Sequence, residues 1–507
     1  MSHTETTAPG VTAAPPLRHW WILAVICLAQ LMDVLDVTIV IIALPGAQKD
    51  LGFSVGDRQW IVTAYALAFG SLLLLSGRVC DLVGRRTMLL IGLIGLIGLI
   101  GLIGLIGLVA FAGASALGGA APNFEVLVTA RTLQGAAGAM LAPAALSLLS
   151  TTFTQTKERA TAFAVFGAIS GSGAAIGMLL GGVLTEYLNW RFMLYVNVAI
   201  AAVAIIGAVA LVPRQTKTDE RPKLDIPGTL LVSAGLFSVV YGFASVESRS
   251  WSSPCTWGSL AAGALLLGVF AWWQNRALHP LLPLRVLLDR NRGGAHLAIF
   301  IGGIGLFGAF LFLNYYMQQI LHYSPVMTGL AFLAMVATLV IAGGICATQL
   351  YPRFGAKLPV TVGMLIAAGA IAWLTGIDPH GTYATTTLGP LLVLGFGIGA
   401  NIAPAMSAGT TGVRPQDAGI ASATVNTAQQ IGGSIGTALL NSLAACALAG
   451  YLVGKNAATP AIQTAAALHS YTVAFWATSA IFTAGAVICG LVLPTGKTTP
   501  ADPEPAI

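Results

Sequence analysis

Fourteen long apolar segments follow one another along this chain of 507 residues, and they limit its possible folds more than any other feature. Only 8% of the residues are charged, whereas soluble domains carry about 25%. So few charged residues could not cover the surface of a soluble protein. Intrinsic disorder is also excluded, because it requires low hydrophobicity and high charge. Because a spanning helix needs about 20 apolar residues, the sequence predicts an all-α polytopic membrane protein with fourteen transmembrane helices.

The distribution of basic residues predicts the orientation of these spans. By residue number they cover 19–44, 59–77, 87–119, 126–148, 160–184, 191–212, 225–245, 256–275, 294–316, 326–350, 358–376, 385–408, 419–447 and 471–493. Of the 24 Lys and Arg residues, eighteen lie on the side of the termini, five lie on the other side and Arg131 lies within a span. Since basic loops remain in the cytoplasm, we expect both termini to be cytoplasmic and the protein to lie in the cell membrane.

Several function classes lack their sequence signatures. The six cysteines are scattered singly, without the spacing of metal ligands. The chain shows no nucleotide-binding P-loop and no nucleophile motif. We therefore expect that the protein is not an enzyme and that it binds neither a metal nor a cofactor. The net charge of +6 sits in short loops, which favours a role in membrane orientation over a nucleic-acid partner.

A run of five Gly-Leu-Ile triplets from Gly92 to Ile106 lengthens the third span. The uncharged segment 87–119 has 33 residues, about 50 Å of helix against a hydrocarbon core of about 30 Å. A period of three drifts against the helical turn of 3.6 residues, so the glycines form no constant face. We interpret the run as a repeat expansion in an ordinary helix, tolerated by tilt, with no function of its own.

Two acidic residues, Asp33 and Asp36, lie near the middle of the first span. Three residues apart, they share one face of a helix. Ionised carboxylates at that depth are costly and usually mark an ion or proton pathway. The pair can titrate as a coupled unit, which indicates a proton-carrying element. The alternative is a structural hydrogen bond from either carboxylate to a neighbouring helix.

The fourth span contains the matching cation, Arg131, with Gln134 one turn later. If it is buried, Arg131 needs a carboxylate or backbone carbonyls as partners. The alternative is that its side chain reaches back to the membrane interface.

Glycines at helical spacing recur in the fifth span. The set is Gly173, Gly177, Gly181 and Gly182. Small residues four apart allow helices to pack closely, and this face suits either helices that move against each other or a static packing surface.

The loop after the second span reads GRVCDLVGRR, which resembles the cytoplasmic signature of the major facilitator superfamily. The matching residues are Gly77, Asp81, Gly84, Arg85 and Arg86. The resemblance implies a cytoplasmic gate in which Asp81 pairs with Arg85 or caps a helix N-terminus. Leu82 stands where a basic residue is usual.

Other segments resemble the fourteen-helix drug–proton antiporter branch of that superfamily. They are LDVTIVIIALP, ending at Pro45; RTLQGAAGA, from Arg131; GMLLGG; NWRFMLYVNV; NTAQQIGGSIG; and YPRFGAK, which echoes the signature loop in the second half. In GMLLGG, Met178 replaces the usual proline, so we expect a less kinked fifth helix.

The resemblance implies the major-facilitator fold, with two six-helix halves and two inserted helices. We expect a cytoplasmic tail at 1–18, the N-terminal half at 19–212, a linker with the inserted pair at 213–293, the C-terminal half at 294–493 and a tail at 494–507.

It also implies proton-coupled export of small amphipathic drugs or antibiotics by alternating access, with Asp36, Arg131 and Gln134 in proton coupling. Asp33 is additional to the family motif and is assigned to proton coupling from its position beside Asp36. Candidate cavity residues are Tyr315, Tyr316, Gln318, Gln319, Asn426 and Gln430; for the two tyrosines aromatic packing is the favoured alternative. The expected partners are the substrate, protons and the lipid bilayer, and the expected state is a monomer. The alternatives are a proton-coupled importer, which Met178 favours weakly, and a membrane sensor or scaffold that transports nothing.

Overall fold

The computed structural model describes twelve stretches of the chain. They are residues 16–54, 57–58, 60–70, 72–73, 94–153, 156–211, 225–249, 251–278, 280–282, 289–410, 418–455 and 459–495. Within these stretches the protein is helical and contains no strand. The predicted all-α class is therefore confirmed.

Each predicted span corresponds to one helix. The first group is α1 (Pro16–Leu51), α2 (Trp60–Gly70), α3 (Ile94–Gly119), α4 (Phe124–Thr152), α5 (Thr156–Tyr187), α6 (Phe192–Leu211), α7 (Ile226–Arg249) and α8 (Pro254–Gln274). The second is α9 (Arg290–Tyr315), α10 (Pro325–Ile345), α11 (Lys357–Trp373), α12 (Leu388–Thr410), α13 (Ala418–Leu452) and α14 (Pro460–Val492). Within the described residues, ten of the fourteen are long and apolar enough to cross a membrane.

Local sequence explains where several helices begin. Asn123 caps α4 by accepting a hydrogen bond from the Val126 N–H at 3.0 Å, and Asp289 caps α9 through Arg292 N at 2.9 Å. Before α10, Ser324 accepts from Met327 N at 3.3 Å and Pro325 follows at the first helical position. These are the side chains that helix N-termini favour, because they bind N–H groups that have no partner within the helix.

The helices pack in two groups. In the first, α1 lies against α5 and α6, and α3 lies against α4 and α6; in the second, α9 lies against α12, α13 and α14. The groups meet where α5 contacts α10 and where α1 contacts α9. The division of the chain at residues 213 and 293 stays a prediction, although this packing agrees with it.

The inserted pair, α7 and α8, forms a hairpin beside the junction of the two groups. Asp225 joins its helices, accepting hydrogen bonds from Gly228 N at 2.9 Å, Trp273 Nε1 at 2.8 Å and Gln274 Nε2 at 2.6 Å. Apolar side chains of α7 pack with Leu67 of α2 and Ala438 of α13. The hairpin therefore contacts one helix from each group.

Two sequence features are only partly described. The signature loop with Gly77, Asp81, Gly84, Arg85 and Arg86 lies outside the described residues. Its echo in the second half is described: Tyr351–Phe354 is a short helix that ends at Gly355, whose φ of 71° is a conformation that favours glycine.

The triplet run is helical from Ile94, the first residue of α3. Its side chains are described from Leu105 onward. A β-carbon at Gly107 would lie 3.0 Å from Leu141 Cδ2 of α4, so the helix after the run is closely packed within the first group. The absence of a function for the repeat stays a prediction.

Candidate functional site

Asp36 lies at the centre of a buried polar cluster in the first group. Its side chain is fully buried, and Oδ2 accepts a hydrogen bond from Arg131 Nη1 at 2.5 Å. Its Oδ1 accepts from Gln134 Nε2 at 3.1 Å and from Asn197 Nδ2 at 2.6 Å. The carboxylate thus has one cationic and two neutral donors, from α4 and α6, in a place without solvent access.

Arg131 is held by more than its carboxylate partner. Nε donates to the Ile61 carbonyl of α2 at 3.1 Å, and Nη1 also donates to Gln134 Oε1 at 2.9 Å. The guanidinium carbon lies 4.4 Å from the centre of the Tyr65 ring, within the range of a cation–π interaction. The side chain is 2% exposed, so it does not reach back to the membrane interface. Both kinds of partner considered from the sequence, a carboxylate and a backbone carbonyl, are present.

Asp33 occupies a separate position in the same cluster. Its Oδ1 accepts a hydrogen bond from the Tyr65 hydroxyl at 2.7 Å. Tyr65 therefore joins the two acidic positions: its hydroxyl binds Asp33, and its ring lies beneath the cation that binds Asp36. The close approach of α4 to the Asp33 side chain depends on a glycine, because a β-carbon at Gly138 would lie 3.0 Å from Asp33 Oδ1.

The structure brings together the four predicted coupling residues and adds three that were not singled out as coupling residues. Ser115 of α3 accepts from Gln134 Nε2 at 2.8 Å, and Tyr65 and Asn197 complete the cluster. Asn197 was noted only as part of the NWRFMLYVNV motif. Nothing in the sequence distinguishes Tyr65 from an aromatic packing residue or Ser115 from an ordinary helix-packing serine.

The predicted glycine face of α5 lies against α1 and α10. A β-carbon at Gly173 would lie 2.9 Å from Val34 Cγ1, one at Gly177 would overlap the Thr38 hydroxyl, and one at Gly181 would lie 2.7 Å from Ile39 Cγ1. Gly182 instead faces the second group, where a β-carbon would lie 2.7 Å from Val326 Cα. Met178 stands in an unbroken α-helix, as expected without the proline.

The two groups also meet at the end of the bundle where α1 reaches Leu51, here called the Leu51 end. Asn314 Nδ2 of α9 donates to the Ile41 carbonyl of α1 at 2.9 Å. Gln318 Nε2 donates to the Ile42 carbonyl at 3.0 Å and to Asn314 Oδ1 at 2.8 Å. Side chains of one group thereby bind the backbone of the other.

Arg58, just before α2, makes a second contact at the Leu51 end. It donates to Gln48 Oε1 of α1 and lies 4.6 Å from the centre of the Tyr315 ring. With its amide turned to satisfy both neighbours, Gln319 accepts from both terminal nitrogens of Arg58, at 2.9 and 3.0 Å. A third contact joins α5 to α10, where Glu186 Oε2 accepts from Val326 N at 3.0 Å.

Four of the candidate cavity residues are therefore packed at the Leu51 end. Tyr315 is 2% exposed and Tyr316 is fully buried, with its hydroxyl donating to the Asp378 carbonyl at 2.8 Å. In this conformation Tyr315, Gln318 and Gln319 take part in the contact between the groups, and Tyr316 packs within the second group. That they line the transport cavity stays a prediction; in this conformation the two groups touch here.

The remaining candidates, Asn426 and Gln430, lie half-buried on α13. Gly70 of α2 faces Gln430, since a β-carbon at Gly70 would lie 3.7 Å from Gln430 Cβ. Thr427, Ser434 and Thr437 follow the same helical face and are buried, and their hydroxyls have no hydrogen-bond partner among the described residues. This face of α13, which meets α2 at Gln430, is polar but uncharged.

Sequence comparison decides the family. The profile of the Major Facilitator Superfamily matches residues 26–437. The chain belongs to the Major Facilitator Superfamily. Within this superfamily it is 46% identical to the puromycin resistance protein pur8 of Streptomyces alboniger, over 91% of this chain and 88% of that protein. It is 34% identical to the cephamycin export protein CmcT of Amycolatopsis lactamdurans, over 82% and 83%.

A third relative is the multidrug efflux pump LfrA of Mycolicibacterium smegmatis, 29% identical over 85% of this chain and 82% of that protein. Solved structures support the major-facilitator fold. A bacterial homolog of the human lysosomal transporter Spinster, in an inward-facing unoccupied conformation, matches with a TM-score of 0.61 and 16% identity, covering 94% of this chain and 98% of that one. The human organic anion transporter MFSD10 matches with a TM-score of 0.56 and 16% identity, covering 94% and 100%.

The NWRFMLYVNV segment of this superfamily member has a visible structural role. Arg191 Nη2 and Trp190 Nε1 both bind Asp50 Oδ2 of α1, at 2.9 and 3.0 Å. Arg191 Nη1 also donates to the Ala121 carbonyl at 2.5 Å. The start of α6 thus fixes the Leu51 end of α1 and the connection between α3 and α4. The protein is a multi-pass membrane transporter by family, and transporters of this superfamily are not an enzyme class.

Proposed function

We propose that the protein exports small amphipathic drugs or antibiotics across the cell membrane in exchange for protons, by alternating access of its two halves. The names of its relatives, which include resistance and export proteins for puromycin and cephamycin and a multidrug efflux pump, support this class of substrate. The observation that carries the proton-coupled mechanism is the fully buried pair of Asp36 and Arg131, 2.5 Å apart between Oδ2 and Nη1.

The cluster gives a proton a direct effect on structure. A proton on Asp36 would neutralise the carboxylate and occupy one of the oxygens that now accept from Arg131, Gln134 and Asn197. The donors to the protonated oxygen, Arg131 at Oδ2 or Gln134 and Asn197 at Oδ1, would then need new partners, since buried polar groups without partners are costly. Protonation therefore favours a different packing of α1 against α4 and α6, the kind of discrete rearrangement that alternating access requires.

The distribution of basic residues supports the orientation of the protein in the membrane. It predicts cytoplasmic termini, so the Leu51 end would be extracellular and closed in this conformation. The polar, uncharged face of α13 would line the path of the substrate when the halves separate. We further propose that the protein acts without catalysis, metal or cofactor, as a monomer that binds its substrate, protons and lipid and no nucleic acid, with the proton gradient as energy source.

Transport in everted membrane vesicles tests this function. Vesicles that contain the protein should accumulate a labelled amphipathic compound, with puromycin as the first choice, when their interior is made acidic. Accumulation should stop when an ionophore removes the proton gradient. Vesicles that instead lose preloaded compound under the same gradient would show import.

Drug susceptibility of a sensitive bacterial host is the second test. Expression of the intact chain should raise the inhibitory concentration of puromycin or another amphipathic compound, and Asp36→Asn should abolish the effect at equal membrane expression. An unimpaired physiological role in Asp36→Asn would favour a sensor or scaffold. No change in susceptibility to any compound with the intact chain would refute drug export.

A further inference from the structure

The end of α9 combines an irregular backbone with contacts to α1 and Arg58. After Tyr315 the α-helix continues as a π-helical turn, Tyr316–Ile320, and His322 then adopts a φ of 53°. Short π-helical segments are rare and often occur at functional sites, and a positive φ is uncommon outside glycine. This irregular segment carries Gln318 and Gln319, both of which bind residues of the first half.

This segment contacts α1 at a place where the helix lacks a backbone hydrogen bond. Pro45 lies inside α1 and has no N–H. The carbonyl that would accept from position 45 in a regular helix belongs to Ile41, four residues earlier. Ile41 therefore carries an acceptor that its own helix cannot satisfy, and it is 4% exposed. A buried carbonyl of this kind requires a donor from elsewhere.

Asn314 supplies that donor from the other half. Its amide nitrogen lies 2.9 Å from the Ile41 oxygen, and its side chain is fully buried. Its amide oxygen is occupied by Gln318, which also binds the next carbonyl of α1, Ile42. The two amides thus form one connected network on the face of α1 that Pro45 exposes.

We propose that Asn314 is the gate residue that holds the Leu51 end closed, by binding the Ile41 carbonyl that Pro45 leaves without a helical donor. Gln318 orients the Asn314 amide and adds the bond to Ile42. Opening this end must break these bonds, and water can then solvate the freed carbonyl. Ile41 lies five residues beyond Asp36, about 7.5 Å along the same helix, so the proton-binding position and the gate belong to one rigid segment.

This inference rests on the proposed alternating access, and its test does not depend on transport. All six native cysteines are replaced, and Tyr187→Cys and Met327→Cys are introduced. Both positions are exposed and adjoin the contact between Glu186 and Val326. The rate of cross-linking by a short bifunctional maleimide in membranes then reports closure of the Leu51 end.

Asn314→Leu should shift the ratio of closed to open protein about tenfold toward the open form, because it leaves a buried carbonyl unpaired. Cross-linking should slow accordingly. Asn401→Leu is the matched control: Asn401 is fully buried and donates to the Ala298 carbonyl within the second half, at 3.3 Å. It should leave cross-linking unchanged. Equal cross-linking in Asn314→Leu and the parent would overturn the proposal.

Pro45→Ala provides a second variant with an independent rationale. It restores an N–H at position 45, so α1 itself can bind the Ile41 carbonyl and the gate loses its acceptor. Cross-linking should slow as in Asn314→Leu, and the double variant should be no slower than either single variant. Additive effects would refute the assigned bond. If cross-linking slows in these variants while the parent transports no drug, the gate is supported and the proposed substrate class is rejected.

Discussion

Asp36 and Arg131 form a fully buried ion pair between α1 and α4, with 2.5 Å between Oδ2 and Nη1. The pair is embedded in neutral donors and acceptors, including Gln134 and Asn197, rather than in solvent. Breaking such a pair leaves an uncompensated buried charge. The ion pair is therefore required for stability, and it is also the position at which a proton would act.

Neutralising one partner should destabilise the protein, and neutralising both should restore much of the loss. Asp36→Asn or Arg131→Gln alone should each lower the free energy of unfolding by about 3–5 kcal/mol. The double variant should be more stable than either single variant and should still fail to couple transport to protons. Thermal unfolding in detergent and vesicle transport measure the two effects.

Asp50→Asn is the control for this ion-pair prediction. Asp50 lies on α1, as Asp36 does, and pairs with Arg191 at the start of α6. The side chains of Asp50 and Arg191 are 47% and 27% exposed. Exposed pairs contribute about 0–1 kcal/mol, so the control should change stability little. A loss as large as that of Asp36→Asn would show that burial does not determine the size of the stability loss.

The hydroxyl of Tyr65 should matter for transport more than its ring. Tyr65→Phe keeps the ring beside Arg131 and removes the donor to Asp33, which lies 2.7 Å away. We expect about a tenfold loss of proton-coupled transport, since one buried hydrogen bond to a carboxyl group is lost. Tyr383→Phe is the control, because that hydroxyl binds the Ala331 carbonyl within the second group of helices, at 2.7 Å. Equal transport in both variants would contradict a role for the hydroxyl.

A methyl group at Gly177 should disrupt the contact between α5 and α1. Gly177→Ala places a β-carbon against the Thr38 hydroxyl, and overpacking of this kind costs about 1–3 kcal/mol. Thr38→Ala removes that hydroxyl and should restore part of the stability. Gly113→Ala on α3 is the control, since a β-carbon there meets nothing within 4 Å, and it should be neutral or stabilising. Thermal unfolding and transport assays test these variants. Unchanged stability and transport in Gly177→Ala would refute this contact.

Shortening the triplet run should leave function intact. Deleting four Gly-Leu-Ile units removes about 18 Å from a helix that exceeds the bilayer thickness. The packed part of α3, which includes Gly107 against Leu141, lies after the run. Membrane insertion and drug transport should match those of the parent. Normal insertion with lost transport would assign the repeat a function.

The fold could be predicted from the sequence because the signal is local. In a bilayer nearly all backbone groups are satisfied within their own helix, so each apolar segment of sufficient length predicts one helix without knowledge of its neighbours. The energetic cost of burying charge in the bilayer also identified Asp36 and Arg131, because an ionisable residue within a transmembrane span usually has a function. Motif resemblance supplied the family.

The partners of these residues were decided only by the tertiary structure. Asp36 binds Asn197, which is 161 positions away, and Asn314 binds a carbonyl of Ile41, which is 273 positions away. Pro45 shows from the sequence that α1 loses a hydrogen bond, but not which side chain replaces it. Hydropathy depends on each residue alone, whereas a hydrogen bond depends on the position of two helices, and that position is fixed by packing over the whole bundle.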